Sequence, residues 1–413
     1  MLMDVMFKAC CGLDVHQKMV KAHVLVSQAD GSVKQVHKRF STMTSGLKAL
    51  AEWLSEQGVT HVVLESTGVY WKPVYNILTP EIEVWLVNAR HVAQVPGRKT
   101  DDTDACWLAK LMRYGLLNRS FIPPVEQRDL RDLTRYRTRL TEERTAGANR
   151  VHKLLEDANI KLGAVVSDIQ GVSARQMLEA LIAEDTAAED IAELAKGRLR
   201  SKIPELVAAL TGQMRAHHRF LLQELLEHLD HLNQRIARLD ERIRTLMAPH
   251  ADLMERLMAV HGIGQRIAEI ILAEIGPTTD PFPSAKHLAS WACVSPGNHI
   301  SANKRKSGRT RRGQKWLRPA LVQAAWAASR SKDTYLAAQF HRLRVRRGAK
   351  RAAVAVAHSI VTIVYHLLAD PEAVYRDLGG DFFLKRDQDA VKRRAIKQLE
   401  TLGLQVSVSP AMA

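Results

Sequence analysis

The order of periodicities in the first 120 or so residues constrains the fold most. Cys10–Asp14 is a short apolar run, Val20–Val26 alternates apolar and polar residues, and Gln35–Phe40 follows a Gly31-Ser32 turn. Those spacings predict three strands. Thr42–Gln57 then places Leu47, Leu50, Ala51 and Leu54 at helical spacing. His61–Leu64 is a short apolar strand that ends at Glu65, Val69–Leu78 reads as helix, and Ile82–Val87 reads as strand. Asp101–Tyr114 reads as a helix with acids in its first turn, where the helix dipole favours them.

Three strands followed by helix, strand, helix, strand and helix is the order of an RNase H-like α/β domain. Pro123-Pro124 punctuates its end, and the domain is assigned to residues 1–122. Residues 123–250 read as helical. Leu130–Ile160 is a long Arg-rich helical pattern, and Asp168–Lys202 is a set of shorter helices broken at Gly171 and Gly197. Leu222, Leu225, Leu229, Leu232, Ile236, Leu239, Ile243 and Leu246 then recur at alternating intervals of three and four, a coiled-coil seam. Pairing between chains is the favoured reading. The alternative is packing inside one subunit, against Leu130–Leu155. Residues 251–370 form a further helical region and 371–413 a peripheral tail, so the class is multidomain α/β plus α.

The net charge of +16 is concentrated. Residues 301–351 hold 16 Lys and Arg, from Lys304 to Arg351, against one acid, Asp333. A local patch of that density points to a phosphate backbone. A membrane surface fits less well, because no apolar run reaches the ~18 residues that a spanning helix needs. Cys10, Cys11, Cys106 and Cys293 lack metal-ligand spacing and predict reduced structural thiols. With no signal-peptide pattern at the N-terminus, the expectation is a protein of a reducing cytosol. His16, His61 and His91 receive no chemical role.

Asp14 and Glu65 each close a short apolar strand, and strands buried on both faces bring their ends to one sheet edge. Asp101 and Asp104 lie three apart at a helix start and share a face, whereas Asp102 points elsewhere. Four gathered carboxylates repel unless a hard divalent cation sits among them, and Mg²⁺ favours carboxylate oxygen and water. Two such ions about 3.5–4 Å apart clamp the attacking and leaving oxygens of a phosphodiester. Lys99, just before the helix, is a candidate phosphate contact.

Ahead of the basic region, Gly262-Ile263-Gly264 between two helical patterns resembles a helix–hairpin–helix turn. Gly262 and Gly264 there let backbone N–H groups approach phosphate. Ser301 sits in a polar loop that leads into Lys304, Arg305, Lys306, Arg309, Arg311, Arg312 and Lys315, all candidate nucleic-acid contacts. A serine that attacks a phosphodiester must lose its proton and have the developing charge stabilised. Ser295 and Ser307 are rivals, and chemistry alone does not choose among the three.

These motifs together resemble the DEDD transposases of the insertion-sequence 110/1111 family, the bridge-RNA-guided recombinases. The resemblance spans nearly the whole chain. Its front rests on Gly12-Leu13-Asp14, Glu65-Ser66-Thr67-Gly68 and Lys99-Thr100-Asp101-Asp102-Thr103-Asp104-Ala105. Its back rests on Gly262-Ile263-Gly264, Ser295-Pro296-Gly297-Asn298, Ser301-Ala302 and Lys304-Arg305-Lys306-Ser307-Gly308-Arg309. Ile300 stands where many relatives carry an acid, and Asn303 where many carry Gly.

The resemblance implies a RuvC-like N-terminal domain, a coiled coil and a helical transposase domain. It implies that Asp14, Glu65, Asp101 and Asp104 bind Mg²⁺, and it selects Ser301 as the nucleophile of a 5′-type phosphoserine link. It further implies target and donor DNA, a guide non-coding RNA, and a homodimer or homotetramer with active sites composed between subunits. The competing reading is a RuvC-like, metal-dependent junction-resolving nuclease with water as nucleophile. A basic nucleic-acid-binding scaffold with a degenerate site is a third, which the intact acid set opposes.

Overall fold

The computed structural model describes residues 4–66, 68–92, 104–183, 186–297, 299–301, 304–311, 313–386 and 388–407. The chain divides into two compact units, Met1–Pro123 and Pro124–Ala413.

The first unit is a five-stranded mixed sheet covered by helices. Its elements are β1 (Ala9–Val15), β2 (Met19–Ser27), β3 (Val33–Ser41), α1 (Thr44–Glu56), β4 (His61–Glu65), α2 (Trp71–Leu78), β5 (Glu83–Val87), α3 (Ala89–Val92) and α4 (Asp104–Arg113). The strand order is β3-β2-β1-β4-β5. The first three strands form an antiparallel meander, whereas β4 runs parallel to β1 and β5 parallel to β4. Helical crossovers impose that parallel half. The alternation of strand side chains then sorts the core into two layers. Cys11, Leu13, Val62, Leu64, Val84 and Leu86 face one way, with Leu47, Leu50, Leu54, Val74 and Leu78 from α1 and α2. Cys10, Val63 and Val87 face the other way, against Leu108, Ala109, Leu111 and Met112 of α4. All four cysteines are free and buried, and burial pushes the Cys10 thiol up to about 11 despite the nearby Arg113, so it is no nucleophile.

Among the described residues the second unit is helical apart from one hairpin. It opens with α5 (Val125–Asp157), then α6 (Leu162–Val165), α7 (Val172–Ile182), α8 (Ala188–Glu193), α9 (Ile203–Leu210) and α10 (Ala216–Met247). Next come α11 (Ala251–Met258), α12 (Gln265–Ile275), α13 (Ala285–Trp291), the hairpin β6 (His299–Ser301) and β7 (Lys304–Ser307), α14 (Leu317–Ala328), α15 (Tyr335–Arg347), α16 (Ala349–Ala369), α17 (Phe382–Arg386) and α18 (Gln388–Thr401).

The heptad seam of α10 packs within the chain. Leu130 shares a cluster with Ile243 and Met247, Leu140 one with Leu232 and Ile236, and Val151 and Leu155 one with Leu222, Leu226 and Leu229. Matching the start of α5 to the end of α10 makes the pair antiparallel. Leu222, Leu229, Leu232, Ile236 and Ile243 are each at most 3% exposed, so the favoured pairing between chains gives way to the intrachain alternative. Gly147 lets the helices close, since a Cβ there would lie 2.9 Å from Cδ2 of Leu229.

Buried charge fixes the far end of that pair onto α12. Glu274 is fully buried and takes two hydrogen bonds from Arg135, at 2.7 and 2.8 Å. Arg137, also buried, joins Glu269 and Asp240. One helix corrects the reading that no run is apolar enough to span a membrane: α16 has a mean hydropathy of 1.8 over an 18-residue window. His358, Ser359, Thr362 and His366 interrupt the strictly apolar run, and the aliphatic residues around them keep its mean high. Its Ala352, Val356, Ile360, Val361 and Val364 form part of the core of this unit, and a helix enclosed by other helices is apolar for that reason.

Candidate functional site

In the first unit, the sheet register brings two of the four predicted acids together. Leu13 pairs with Leu64 in the parallel β1–β4 ladder, which makes Asp14 and Glu65 the next residues at the same end of adjacent strands. Both belong to the face shared by Cys10 and Val63, the face covered by α4. Asp104 is the first residue of α4. Gly12 seats that helix: a Cβ at Gly12 would lie 2.0 Å from the carbonyl oxygen of Ala105 and 2.6 Å from the amide nitrogen of Ala109. Farther back on β1, Cys10 Sγ donates to the carbonyl of Ala109 at 3.5 Å. The helix therefore runs antiparallel to β1, and its N-terminus points at the edge where Asp14 and Glu65 end. The positive end of the helix dipole offsets part of the carboxylate repulsion there.

The Asp14 side chain, 21% exposed, already has partners. Its Oδ2 lies 2.9 Å from Nε2 of His16 and 3.9 Å from Nζ of Lys21. His16, given no role from the sequence, thus belongs to this edge. The signal for it was its place two residues beyond the strand-end acid. Asp101, its neighbour Asp102 and Lys99 lie outside the described residues. Among the described residues no three His, Cys, Asp or Glu side chains are grouped to hold a metal ion. The donors on this edge are nonetheless carboxylate oxygens, which suit a hard divalent cation.

In the second unit, Ser301 is not in a loop. It ends β6 and pairs with Lys304, the first residue of β7, so the hairpin holds the serine backbone directly against the start of the basic run. Strand pairing overrides the polar, Gly- and Asn-containing sequence that reads as a loop. Lys304, Arg305 and Lys306 lie on β7, and Ser307 pairs with His299 at the other end of the hairpin. Arg312 lies outside the described residues. Arg309, Arg311 and Lys315 are exposed, and Arg311 donates to the Ser290 hydroxyl and carbonyl at 2.6 and 3.2 Å.

The two glycines of the α11–α12 turn differ. Gly262, at φ 93°, meets α14: a Cβ there would lie 2.2 Å from the carbonyl oxygen of Ala324, so close helix packing accounts for this glycine. Gly264 has open space around it at the N-cap of α12. Beyond the hairpin, the sequence reading singled out no individual contact after Lys315 in the basic stretch that runs to Arg351, yet Arg347, Lys350 and Arg351 line a large groove with Arg309. Their signal was density of charge, without a motif.

Comparison with known proteins accords with this two-part arrangement. Residues 11–160 match the DEDD transposase model of insertion sequence IS110, and residues 254–342 match the model described as the transposase IS116/IS110/IS902 family. Among curated proteins, the chain is 27% identical over 286 residues to a probable family 20 transposase of Pseudomonas aeruginosa, covering 68% of this chain and 75% of that one. It is 25% identical over 322 residues to the transposase for insertion sequence element IS1111A of Coxiella burnetii, covering 75% and 78%. A pilin gene-inverting protein of Moraxella bovis is 31% identical over 150 residues, 34% of this chain and 46% of the relative. The two matched regions cover more than half of the chain and include both the acidic sheet edge and the serine hairpin, and the chain belongs to the IS110 family of DEDD transposases, enzymes that act on DNA.

Proposed function

We propose that this transposase is a site-specific recombinase that cuts and rejoins DNA through a phosphoserine at Ser301, assisted by a divalent cation held by Asp14, Glu65, Asp101 and Asp104. The observation that carries the reading is the register of β1 and β4 under the N-terminus of α4, which directs three of the four acids to one sheet edge. The strand order β3-β2-β1-β4-β5 supports assigning the unit to the RNase H-like, RuvC-like class. A cation held by Asp14, Glu65, Asp101 and Asp104, taken to be Mg²⁺, would supply charge neutralisation at the scissile phosphate.

The step balances without an oxidant or reductant. The Ser301 hydroxyl oxygen bonds to phosphorus and the bond from phosphorus to the 3′ oxygen breaks. The hydroxyl proton leaves to a base, and the departing oxygen ends as a hydroxyl. Attack by a free 3′ hydroxyl on the phosphoserine runs the step in reverse and rejoins strands. His16, against Asp14, is placed to hold that carboxylate's orientation. The basic residues Lys304, Arg305, Lys306, Arg309, Arg311, Arg312 and Lys315 would hold backbone phosphates.

A structured guide RNA would choose target and donor by base pairing, while the protein reads duplex shape. A homodimer or homotetramer would supply the paired serines that exchange requires. The gene-inverting activity in the name of the Moraxella relative favours rejoining over simple cutting, because inversion restores both strands. The competing reading, a junction-resolving nuclease, uses water in place of Ser301. The test incubates the protein with Mg²⁺, RNA from its flanking DNA and labelled target and donor. A protein–DNA adduct that survives denaturation and is lost in Ser301→Ala supports the recombinase. Cleavage unchanged in Ser301→Ala with no adduct leaves the nuclease.

A further inference from the structure

A groove of about 1300 Å³ lies in the second unit, at the root of the serine hairpin. Pro296 borders it on one side of the hairpin, and Gly308 and Arg309 on the other. The opposite wall is the junction of α15 and α16, which contributes Arg347, Lys350 and Arg351. These three side chains are exposed, and among the described residues none is held in an ion pair. Among the described residues no Asp or Glu lines the groove. Surface cations on a soluble protein are usually interspersed with acids, so a wall of one sign focuses the field on an anion.

The floor has a different chemistry. Leu343, Val354 and Ala355 make it apolar, and Gln339, His358 and Ser359 set polar groups into it. Gln339 donates to the Ser359 hydroxyl at 2.9 Å, while its own amide oxygen is buried without a hydrogen-bond partner in the structure. Burial pushes the His358 imidazole below its ordinary range, so it is neutral at pH 7 and offers one donor and one acceptor.

The geometry points to a binding site for a single nucleic-acid strand, with phosphates on Arg347, Lys350 and Arg351 and a base or sugar on the floor beside Gln339. A rim of cations over a floor with both apolar surface and hydrogen-bonding groups matches a nucleotide, which carries charge, a flat apolar face and polar edges together. A duplex presents phosphates but keeps its bases stacked, so the floor favours an unpaired strand. This proposal rests on the reading of the chain as a DNA-acting enzyme. It adds where a strand is held near the serine hairpin, and it leaves open whether that strand is displaced DNA or a loop of RNA.

The test measures equilibrium binding of fluorescein-labelled 20-nucleotide single-stranded DNA, single-stranded RNA and duplex DNA of arbitrary sequence. The full chain carries Ser301→Ala and the buffer carries a chelator, so strand chemistry plays no part and failure of the phosphoserine mechanism leaves the assay intact. The Arg347→Ala, Lys350→Ala, Arg351→Ala triple variant is expected to weaken single-strand binding by roughly tenfold or more near 150 mM salt. It should also lower the slope of log affinity against log salt by about 2, at roughly 0.7 per lost phosphate contact. Ala355→Trp, which fills the floor and keeps every charge, is expected to weaken single strands more than duplex. Removing three exposed cations elsewhere in the unit, Lys196, Arg198 and Lys202, controls for net charge. A loss confined to DNA assigns the groove to displaced DNA, and a loss confined to RNA assigns it to the guide. Equal losses from the triple variant and the control, or no effect of Ala355→Trp, overturn the proposal. Melting curves for each variant confirm that it is folded.

Discussion

Alanine at Gly12 tests the acidic edge without touching any acid. A Cβ at this position would sit 2.0 Å from the Ala105 carbonyl oxygen and 2.6 Å from the Ala109 nitrogen, and ordinary contact begins near 3.4 Å. Both atoms belong to helix backbone and have no rotamer to change, so α4 must retreat by about 1 Å or more. Overpacking of this kind costs about 1–3 kcal/mol. The helix carries Asp104 at its first turn, and a displacement of about 1 Å at a catalytic group costs on the order of a hundredfold in rate. We therefore expect Gly12→Ala to fold with a melting temperature lowered by several degrees and to lose about a hundredfold in DNA cleavage. The checks are a thermal melt and a cleavage time course at saturating Mg²⁺. Cleavage within twofold of the parent, in a variant confirmed by sequencing, would refute the argument that Gly12 positions Asp104.

The remaining predictions concern the second unit. Leu232→Ala removes a side chain 2% exposed between α5 and α10 and should cost about 2–5 kcal/mol in a denaturant melt, with no change in oligomeric state by light scattering. Dissociation of an oligomer in that variant would return the seam to pairing between chains. Glu274→Ala strands the Arg135 guanidinium at the junction of α5 and α12 and should cost about 3 kcal/mol, the low end for a broken buried pair because Arg135 keeps part of its surface in water. Burial alone would raise the Asp377 carboxyl, but hydrogen bonds from the Tyr375 hydroxyl and from the N–H groups of Tyr335 and Gly379 hold it below its usual range. Its contribution is therefore complete above the ordinary carboxylate pKa and is lost as pH falls through the lower folded value. Protection of the Tyr335 and Gly379 amides against hydrogen exchange, relative to the intrinsic rate at each pH, should fall on acidification below about pH 4, and Asp377→Asn should flatten that pH dependence.

Local signals made the first unit legible. Its strands alternate or run apolar, its crossovers are short, and strand-end acids announce themselves in His-Val-Val-Leu-Glu. Gly12 was visible only as part of a motif, because the reason for it is a helix 93 residues away in sequence, at Ala105. The seam of α10 was legible as a seam, but heptads specify an apolar stripe and not its partner. The partner was set by α5, whose own stripe at Leu130, Leu140, Val151 and Leu155 is diluted by arginines, some of which (the half-buried Arg135 and the buried Arg137) pair with buried acids of α12. Ser301 was legible as a candidate and not as a strand residue, since a hairpin of three and four residues leaves little periodicity to read. The groove was invisible from sequence because its walls come from segments some forty residues apart, Arg309 and Lys350, that only packing brings together.

The central claim is that Ser301 becomes covalently joined to DNA. The most direct measurement digests the denaturation-resistant adduct with protease and nuclease and locates the residual nucleotide by tandem mass spectrometry. The account predicts a phosphate-linked nucleotide on Ser301. A nucleotide on Ser295 or Ser307, or efficient cleavage with no modified peptide at all, would contradict it.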